Sequence, residues 1–392
     1  MAIKLRGAGG LRRLYEAAGR DKNVRRFHED LSEALEKKEV LPQDFSIRDL
    51  FENFVEDGRE IVDSWKPGSV SGGVNLVEAG TMVDTAAFSN ITGQIVYTKT
   101  LDAFNDPEFI GEQLCTVTPT QFNGEKIPGI GRLGDVAQSI AESNLYPTAG
   151  LSEEWVDTPA TSKYGFIVPV SKEAIFFDRT GLVLRRAGEV AYWLGLNREK
   201  RILDTVLGIT TSYKRNGAAA IATYQASTPY INTKTSNALV DWTNVEAAEL
   251  LFDALTDPNT GEVISVMPNT IIVPTALKHT SRRIASATEI RYANGGYPTS
   301  GAPQTTVSPN VLNDYRIVTS PLVKARTSSA STWFIGDPKR AFNYMQNWPI
   351  SVFQAPNNSE AEFTQDVVAR FKVTERGAPA VVEPRYMVKS TA

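Results

Sequence analysis

The chain of 392 residues is long enough for one large domain or for two to three of ordinary size. Hydrophobic residues make up 42% and charged ones 22%, a globular balance that excludes a disordered or collagen-like chain. With 41 basic and 45 acidic residues the formal net charge is −4, so a surface built as a whole for nucleic acid is excluded and any such contact has to be local. The single cysteine, Cys115, closes no intrachain disulfide, and with only His28 and His279 beside it a zinc cluster of Cys and His ligands is excluded. No apolar signal region follows Lys4 and Arg6, and no run approaches the ~18 apolar residues that span a bilayer. The expectation is a chain kept in a cytoplasm-like compartment and away from membranes.

In chain order, the first 26 residues carry eight basic side chains against Glu16 and Asp21. Residues 29–63 read as two acidic helices with a break at Pro42, and the Pro/Gly/Ser-rich stretch 66–73 closes this arm. Two strand patterns, 114–119 and 164–170, flank a long polar tract. Structureless tracts beyond ~12–15 residues are commonly functional, so this excursion is the first candidate for an element that reaches a neighbouring molecule. Asp178 or Thr180 caps the next segment, where Val183, Ala187, Val190, Leu194, Ile202 and Val206 keep helical spacing until Gly208. The spacing predicts one helix over 180–207, roughly 40 Å long, with the polar turn 197–201 inside it. A Thr/Ser/Ala/Asn-rich excursion over 208–240 follows, and then Thr243-Asn244-Val245-Glu246 reads as a capping box for a helix to Leu255. Beyond a turn at 257–261 come a buried strand at 270–274 and a short helix at 275–285, and elements alternate up to Trp333. The tail reads as three strands, 350–353, 366–373 and 380–382.

Motifs for chemistry are sparse. Gly129-Ile130-Gly131-Arg132-Leu133-Gly134 matches G-x-G-x-x-G, with Glu153 or Glu154 about 20 residues on. A polar lead-in, 121–126, and the adjacent Pro128 replace the buried strand that a dinucleotide site needs, so a glycine-rich loop is the favoured reading. His28 sits in the charged arm and His279 on a polar helix beside Arg282 and Arg283, neither with a catalytic partner near in sequence. No P-loop, H-E-x-x-H, EF-hand or G-x-S-x-G pattern occurs. The basic arm has two open readings, nonspecific phosphate contact or pairing with acids such as Glu29, Asp30 and Glu33. Trp193, Trp333 and Trp348 fall on apolar segments and are expected in the core.

This order of arm, long loop, strand, spine helix, α/β unit and strand-rich tail resembles the major capsid protein of tailed phages, the Hong Kong 97-type fold. The residues that carry it are Val168-Pro169-Val170-Ser171-Lys172-Glu173-Ala174-Ile175-Phe176-Phe177-Asp178, similar to the strand leaving the family's extended loop and opening its spine helix. Met267-Pro268-Asn269-Thr270 through Leu277 is a looser version of the family's axial strand and helix start. Trp333 to Asp337 with Ala341-Phe342, and Arg370 to Gly377 with Val381-Val382 and Pro384, resemble its closing strands.

The resemblance implies an α+β chain organised as an N-terminal arm (1–99), the start of a peripheral domain (100–135), an extended loop (136–164), the peripheral domain with its spine helix (165–208), an axial domain (209–335) and return strands of the peripheral domain (336–392). Residues 1–99 depart from the best-known member, whose N-terminal segment is cut away, and removal is not expected here. The function implied is that of the major capsid, or head shell, protein of a tailed double-stranded DNA bacteriophage. It is expected to be structural rather than an enzyme, to need no cofactor or metal, and to self-assemble into pentamers and hexamers of an icosahedral shell around the genome. The expected location is the virion, with assembly in the host cytoplasm. Its expected partners are copies of itself, scaffold, portal and decoration proteins, and packaged duplex DNA held nonspecifically, but no membrane. Arg12, Arg13, Lys22, Arg25 and Arg26 are the candidates for facing the lumen and DNA, and Glu142, Tyr146, Glu153, Glu154 and Trp155 for the loop between subunits. Lys163, with Asn357 and Asn358, is the only combination near the loop that could form an isopeptide crosslink, and none is expected. Alternatives are an encapsulin-like compartment, which has the same fold and holds enzymes, and, remotely, a dinucleotide-binding oxidoreductase using the glycine loop.

Overall fold

Thr270-Ile271-Ile272-Val273 and Trp333-Phe334-Ile335-Gly336 are apolar on nearly every position, the pattern of strands covered on both faces. The structure is a computed structural model describing residues 46, 48, 49, 52, 95, 108–128, 154–171, 182–257, 261, 263–287, 289–293, 305–309, 315–354 and 367–392. It sets these two segments side by side within a five-stranded sheet. The helices are α1 (Gly111–Leu114), α2 (Leu182–Val206), α3 (Trp242–Asp253), α4 (Lys278–Ser286), α5 (Pro321–Thr327) and α6 (Pro338–Ala341). The strands are β1 (Thr116–Pro119), β2 (Lys126–Pro128), β3 (Trp155–Asp157), β4 (Ser162–Ser171), β5 (Thr233–Lys234), β6 (Thr270–Val273) and β7 (Glu289–Ala293). They continue with β8 (Thr305–Pro309), β9 (Arg316–Thr319), β10 (Trp333–Gly336), β11 (Phe342–Gln354), β12 (Val367–Val381) and β13 (Met387–Ser390).

The chain divides into two compact units. The larger one comprises Glu108–Ser162, Arg198–Asn347 and Gly377–Ala392. Its sheet has the order β5-β13-β10-β6-β9, with β10 antiparallel to both neighbours and β9 and β5 added in parallel at the edges. Period-2 alternation sends Ile271, Val273, Trp333, Ile335 and Val388 to one face, where α3 supplies Val245, Ala248 and Phe252. Ile272, Phe334 and Met387 go to the other face, packed with Ile202, Leu203 and Val206 from the C-terminal part of α2. Neither face of the sheet needs water, which is why all four residues of β6 and of β10 are buried. The indole Nε1 of Trp333 donates to Asn237 O at 2.8 Å, so the largest side chain of this core leaves no polar atom unpaired.

In the other unit, the described parts of Lys163–Asn197 and Trp348–Arg376 build a smaller core. Here β12 lies between β11 and β4 in the strand order. Leu194 of α2, Ile350 and Val373 are buried, with Tyr164, Phe166 and Val352 against them, while Ile167 on the opposite face of β4 is 58% exposed. Gly165 is required for this strand spacing, since a Cβ there would stand 2.4 Å from Val373 O.

Several elements match their expected positions and several are displaced. The spine helix predicted over 180–207 is α2, about 37 Å long at 1.5 Å per residue. Gly208 ends it at φ +67°, with the ring of Tyr224 2.5 Å from where a Cβ would stand. The capping box lies two residues earlier than predicted. Asp241, not Thr243, is the N-cap of α3; its carboxylate accepts from Thr243 N at 3.0 Å, and Asn244 Oδ1 accepts from Asp241 N at 3.1 Å. The two tail strands predicted at 366–373 and 380–382 are one continuous strand, β12. Gly377 does not break it because the glycine makes room for the ring of Tyr344, 2.7 Å from a Cβ position. Leu114, predicted as strand, belongs to the helical turn α1, and the strand starts at Thr116. Within the stretch expected as the extended loop, 136–164, the described residues include β3 and the start of β4. Asp178 and Thr180 lie outside the described residues.

Because Phe334 is fully buried where the sheet meets α2, Phe334→Ala should destabilise the larger unit by about 3–5 kcal/mol. Leu250, 60% exposed on the outer side of α3, should cost no more than about 0.5 kcal/mol on replacement by alanine. Urea unfolding of the two variants followed by tryptophan fluorescence checks the contrast.

Candidate functional site

The polar turn inside the long helix is the first place where charge enters the core. Glu199 shares the helix stripe of Ile202, Leu203 and Val206 and is only 3% exposed. Its Oε1 accepts from Ile110 N at 3.0 Å and its Oε2 from Gly111 N at 2.8 Å, so one carboxylate satisfies the two backbone donors that open α1. Gly111 is needed for this approach, because a Cβ there would lie 2.5 Å from Oε2. Arg198 Nη1 pairs with Glu112 Oε1 at 2.6 Å, and its guanidinium lies 4.6 Å from the centre of the Tyr344 ring. Burial raises the Glu199 carboxyl above its ordinary range, and the two backbone bonds and Arg198 only partly offset this. Cys115 closes the cluster. Burial pushes its thiol up to about 12, with Arg198 opposing, so at neutral pH it is an inert thiol that donates to Gly111 O.

The second polar joint is the base of the long excursion. β2 and β3 pair antiparallel, Lys126 opposite Asp157, Ile127 opposite Val156 and Pro128 opposite Trp155. Thr158 holds the strands from below: its Oγ1 accepts from Glu125 N at 2.8 Å and donates to Glu125 O at 2.9 Å. The ladder is fastened to residues 214–216, with Asp157 N donating to Lys214 O, Asn216 N to Trp155 O and Trp155 N to Asn216 Oδ1, each at 3.0 Å. Val156 is 1% exposed and belongs to the core of the larger unit. Pro128 and Trp155, the two ends of the excursion, therefore stand opposite each other on one anchored ladder.

Beside this base lies a cleft of about 450 Å³ lined by Tyr213, Arg215, Asn216, Ile221, Tyr230 and Arg385 among others. Its charges are neutralised internally: Arg215 pairs with Glu154, and Arg385 grips Glu383 with Nε–Oε1 at 2.6 Å and Nη2–Oε2 at 2.9 Å. Burial raises the Tyr213 phenol to about 12 and the Tyr230 phenol further, so both stay protonated. Among the described residues no group of three or more His, Cys, Asp or Glu side chains could hold a metal ion. No helix among them is long and apolar enough to cross a membrane.

Of the residues singled out by sequence, Arg12, Arg13, Lys22, Arg25, Arg26, Glu142, Tyr146 and Glu153 lie outside the described residues, as do His28 and the glycine motif 129–134. Glu154 and Trp155 stand at the base of the excursion, engaged with Arg215 and Asn216 of their own chain, and Lys126 Nζ sits 4.5 Å from the centre of a Trp155 ring. His279 is exposed on α4 beside Arg282 and Arg283, as the sequence suggested. Sequence reasoning passed over Glu199. The signal was present in its position, a single acid on an otherwise apolar helical stripe.

For Glu199 the sign of the pH effect follows from the raised carboxyl. Its contribution to stability is fully present below the unfolded value of 4.5 and is lost as pH rises through the higher folded value. Glu199→Gln, which does not titrate, should therefore gain on the wild type in thermal midpoint as pH increases over that window. A constant difference between the two proteins from pH 4 to 8 would contradict the assignment.

Comparison with known proteins adds the following. Residues 155–390 match the family described as phage capsid protein. No curated protein matches the sequence. Among solved structures, the chain is similar to a phage-related protein from Bordetella bronchiseptica (13% identity, TM-score 0.44, covering 76% of this chain and 95% of that one). It is also similar to the capsid of a native GTA particle (11%, 0.45, 73% and 90%) and to a virus-like particle from Pyrococcus furiosus (11%, 0.43, 76% and 98%).

Proposed function

Because this chain belongs to the phage capsid protein family, with an α+β capsid fold of the Hong Kong 97 type, we propose that it is the major head shell protein of a tailed double-stranded DNA phage. In this reading it closes as pentamers and hexamers into an icosahedral shell around the genome, and its role is structural rather than enzymatic. In this reading the smaller unit belongs to the peripheral domain and the sheet of the larger one to the axial domain, with β13 joining that sheet from the stretch 336–392 expected as return strands. The observation that carries the reading, beyond family membership, is the anchored ladder β2–β3. A tract of 26 residues, 129–154, departs between two strands that are locked to the subunit's own core by Val156 and residues 214–216. Such a mount suits an element whose contacts are made with another copy, since force on the loop is passed to the core and not to a hinge. The internal neutralisation of the cleft beside it, and the inert Cys115, agree with a protein whose work is geometric.

Expressed with its phage's assembly partners, the protein should give closed shells in negative-stain images, and shells from infected cells should contain duplex DNA. Protein cargo in place of DNA would favour the encapsulin-like compartment, and a strictly monomeric species at high concentration would overturn the capsid reading. The loop has its own test. Pro128 faces Trp155 across an antiparallel pair, so residues 129–153 can be replaced by Asn-Gly, which with Glu154 makes a three-residue turn and keeps the Glu154–Arg215 pair. That variant should keep the helical signal and cooperative melting of the parent and lose shell formation. Normal shells from it would remove the extended loop from the inter-subunit role.

A further inference from the structure

Helix α4 is built with two opposed faces. Leu277, just before it, and Ile284 pack on the core of the larger unit, and Ser281 between them is buried with its hydroxyl donating to Lys278 O. The other face carries Lys278, His279, Arg282 and Arg283, of which His279, Arg282 and Arg283 are exposed. None of these four side chains has a hydrogen bond or ion pair among the described residues. No acid is nearby in sequence either: none occurs between Glu262 and Glu289, in a chain whose net charge is −4. Lys324, exposed on α5, adds to the same neighbourhood, because α5 packs against the turn Thr275–Leu277 that leads into α4. Elsewhere in this unit four arginines are matched by acids, Arg198 by Glu112, Arg215 by Glu154, Arg326 by Asp204 and Arg385 by Glu383, while Arg201 reaches Gly377 O, Arg316 reaches Gln113 and Arg340 lies over the Tyr386 ring.

We infer that the exposed face of α4 binds the phosphate backbone of duplex DNA without reading its sequence. The inference rests on the capsid reading, which supplies the enclosed polyanion, and it names a contact surface separate from the basic N-terminal arm. Two guanidiniums on adjacent positions, with a lysine one turn before them, form a compact cationic face that suits rows of phosphates. The centre of a protein–protein interface, where Arg is itself common, is anchored by large aromatic or apolar side chains that fill pockets and exclude water. This face has no large apolar residue, which favours a polyanion over an acidic surface of another copy.

The experiment measures binding of the full-length protein to a fluorescein-labelled 40-base-pair duplex of arbitrary sequence by anisotropy, at several NaCl concentrations between 50 and 200 mM. Each phosphate contact contributes about 0.9 to the slope of log affinity against log salt, so Arg282→Gln/Arg283→Gln should lower the slope by about 1.8. Over that salt range the double variant should then lose about tenfold less affinity than the wild type. Arg282→Lys/Arg283→Lys should keep the wild-type slope, and Lys372→Gln in the other unit should leave it unchanged. An unaltered slope in the Gln variant, or no binding by the wild type, overturns the inference. So does loss of shell formation with unaltered DNA binding, which would assign the face to acidic groups of a second copy. Shell formation by the wild type is scored separately by electron microscopy, so failure of the capsid reading and failure of the DNA face are distinguishable.

Discussion

The carboxylate of Glu199 is the contact on which the arrangement of the larger unit depends. It takes a carboxyl group into the stripe of α2 that otherwise consists of Ile202, Leu203 and Val206, where its two oxygens accept from the backbone donors of Ile110 and Gly111. Those bonds fix where α1 begins and therefore where the chain turns into β1. From there Thr116 to Pro119 run parallel to Asn343 to Gln346 of β11, and Thr120 N continues the ladder to Gln346 O. Removing one partner of such a buried set leaves the other unsatisfied, which is more damaging than the net worth of the bonds themselves. Beside it, the Arg198 guanidinium is held by Glu112 and lies over the Tyr344 ring.

The buried charges elsewhere in this unit follow the same rule. Glu383 and Arg385 are each 3% or less exposed, and the pair is joined twice, with Arg385 Nη1 also reaching Thr256 O. Asn232 makes full use of its amide: the two hydrogens of Nδ2 are shared among Thr223 O, Pro384 O and Met387 O, all within hydrogen-bond distance, and Oδ1 accepts from Gln225 N. These polar knots hold the C-terminal segment of the chain on the sheet, where β13 lies between β5 and β10. Against that background the cations of α4 stand apart, because Arg198, Arg215, Arg326 and Arg385 of this unit are paired with its own acids.

Much of the fold was legible as pattern. Val183 to Val206 kept helical spacing and formed α2, and the apolar runs at 270–273 and 333–336 formed strands covered on both faces. These elements follow from local rules, since side-chain periodicity and burial decide them within a few residues. Where local rules failed, a distant partner had decided the outcome. Leu114 left its strand pattern because Glu199, 85 positions later, captures the backbone just before it. Gly377 stayed inside β12 because Tyr344 occupies the space above it. The excursion was visible as a polar tract, but its footing was not, for Trp155 and Glu154 read as loop residues until residues 214–216 gave their backbone and side-chain partners.

By itself the sequence determined the types of most described elements, the presence of one cysteine and two histidines, the order of elements that resembles a phage capsid subunit, and the acidic balance against a basic α4. Each of these is a property of neighbours in the chain or of composition. Tertiary structure alone decided which charges are neutralised and which are presented, that Glu199 is a joint and not a solvated turn, and where the long tract is bolted to the core. Those outcomes depend on pairs separated by tens to hundreds of residues, such as Glu199 with Gly111, Arg326 with Asp204 and Trp333 with Asn237. Their free energies arise only when folding brings the two partners together.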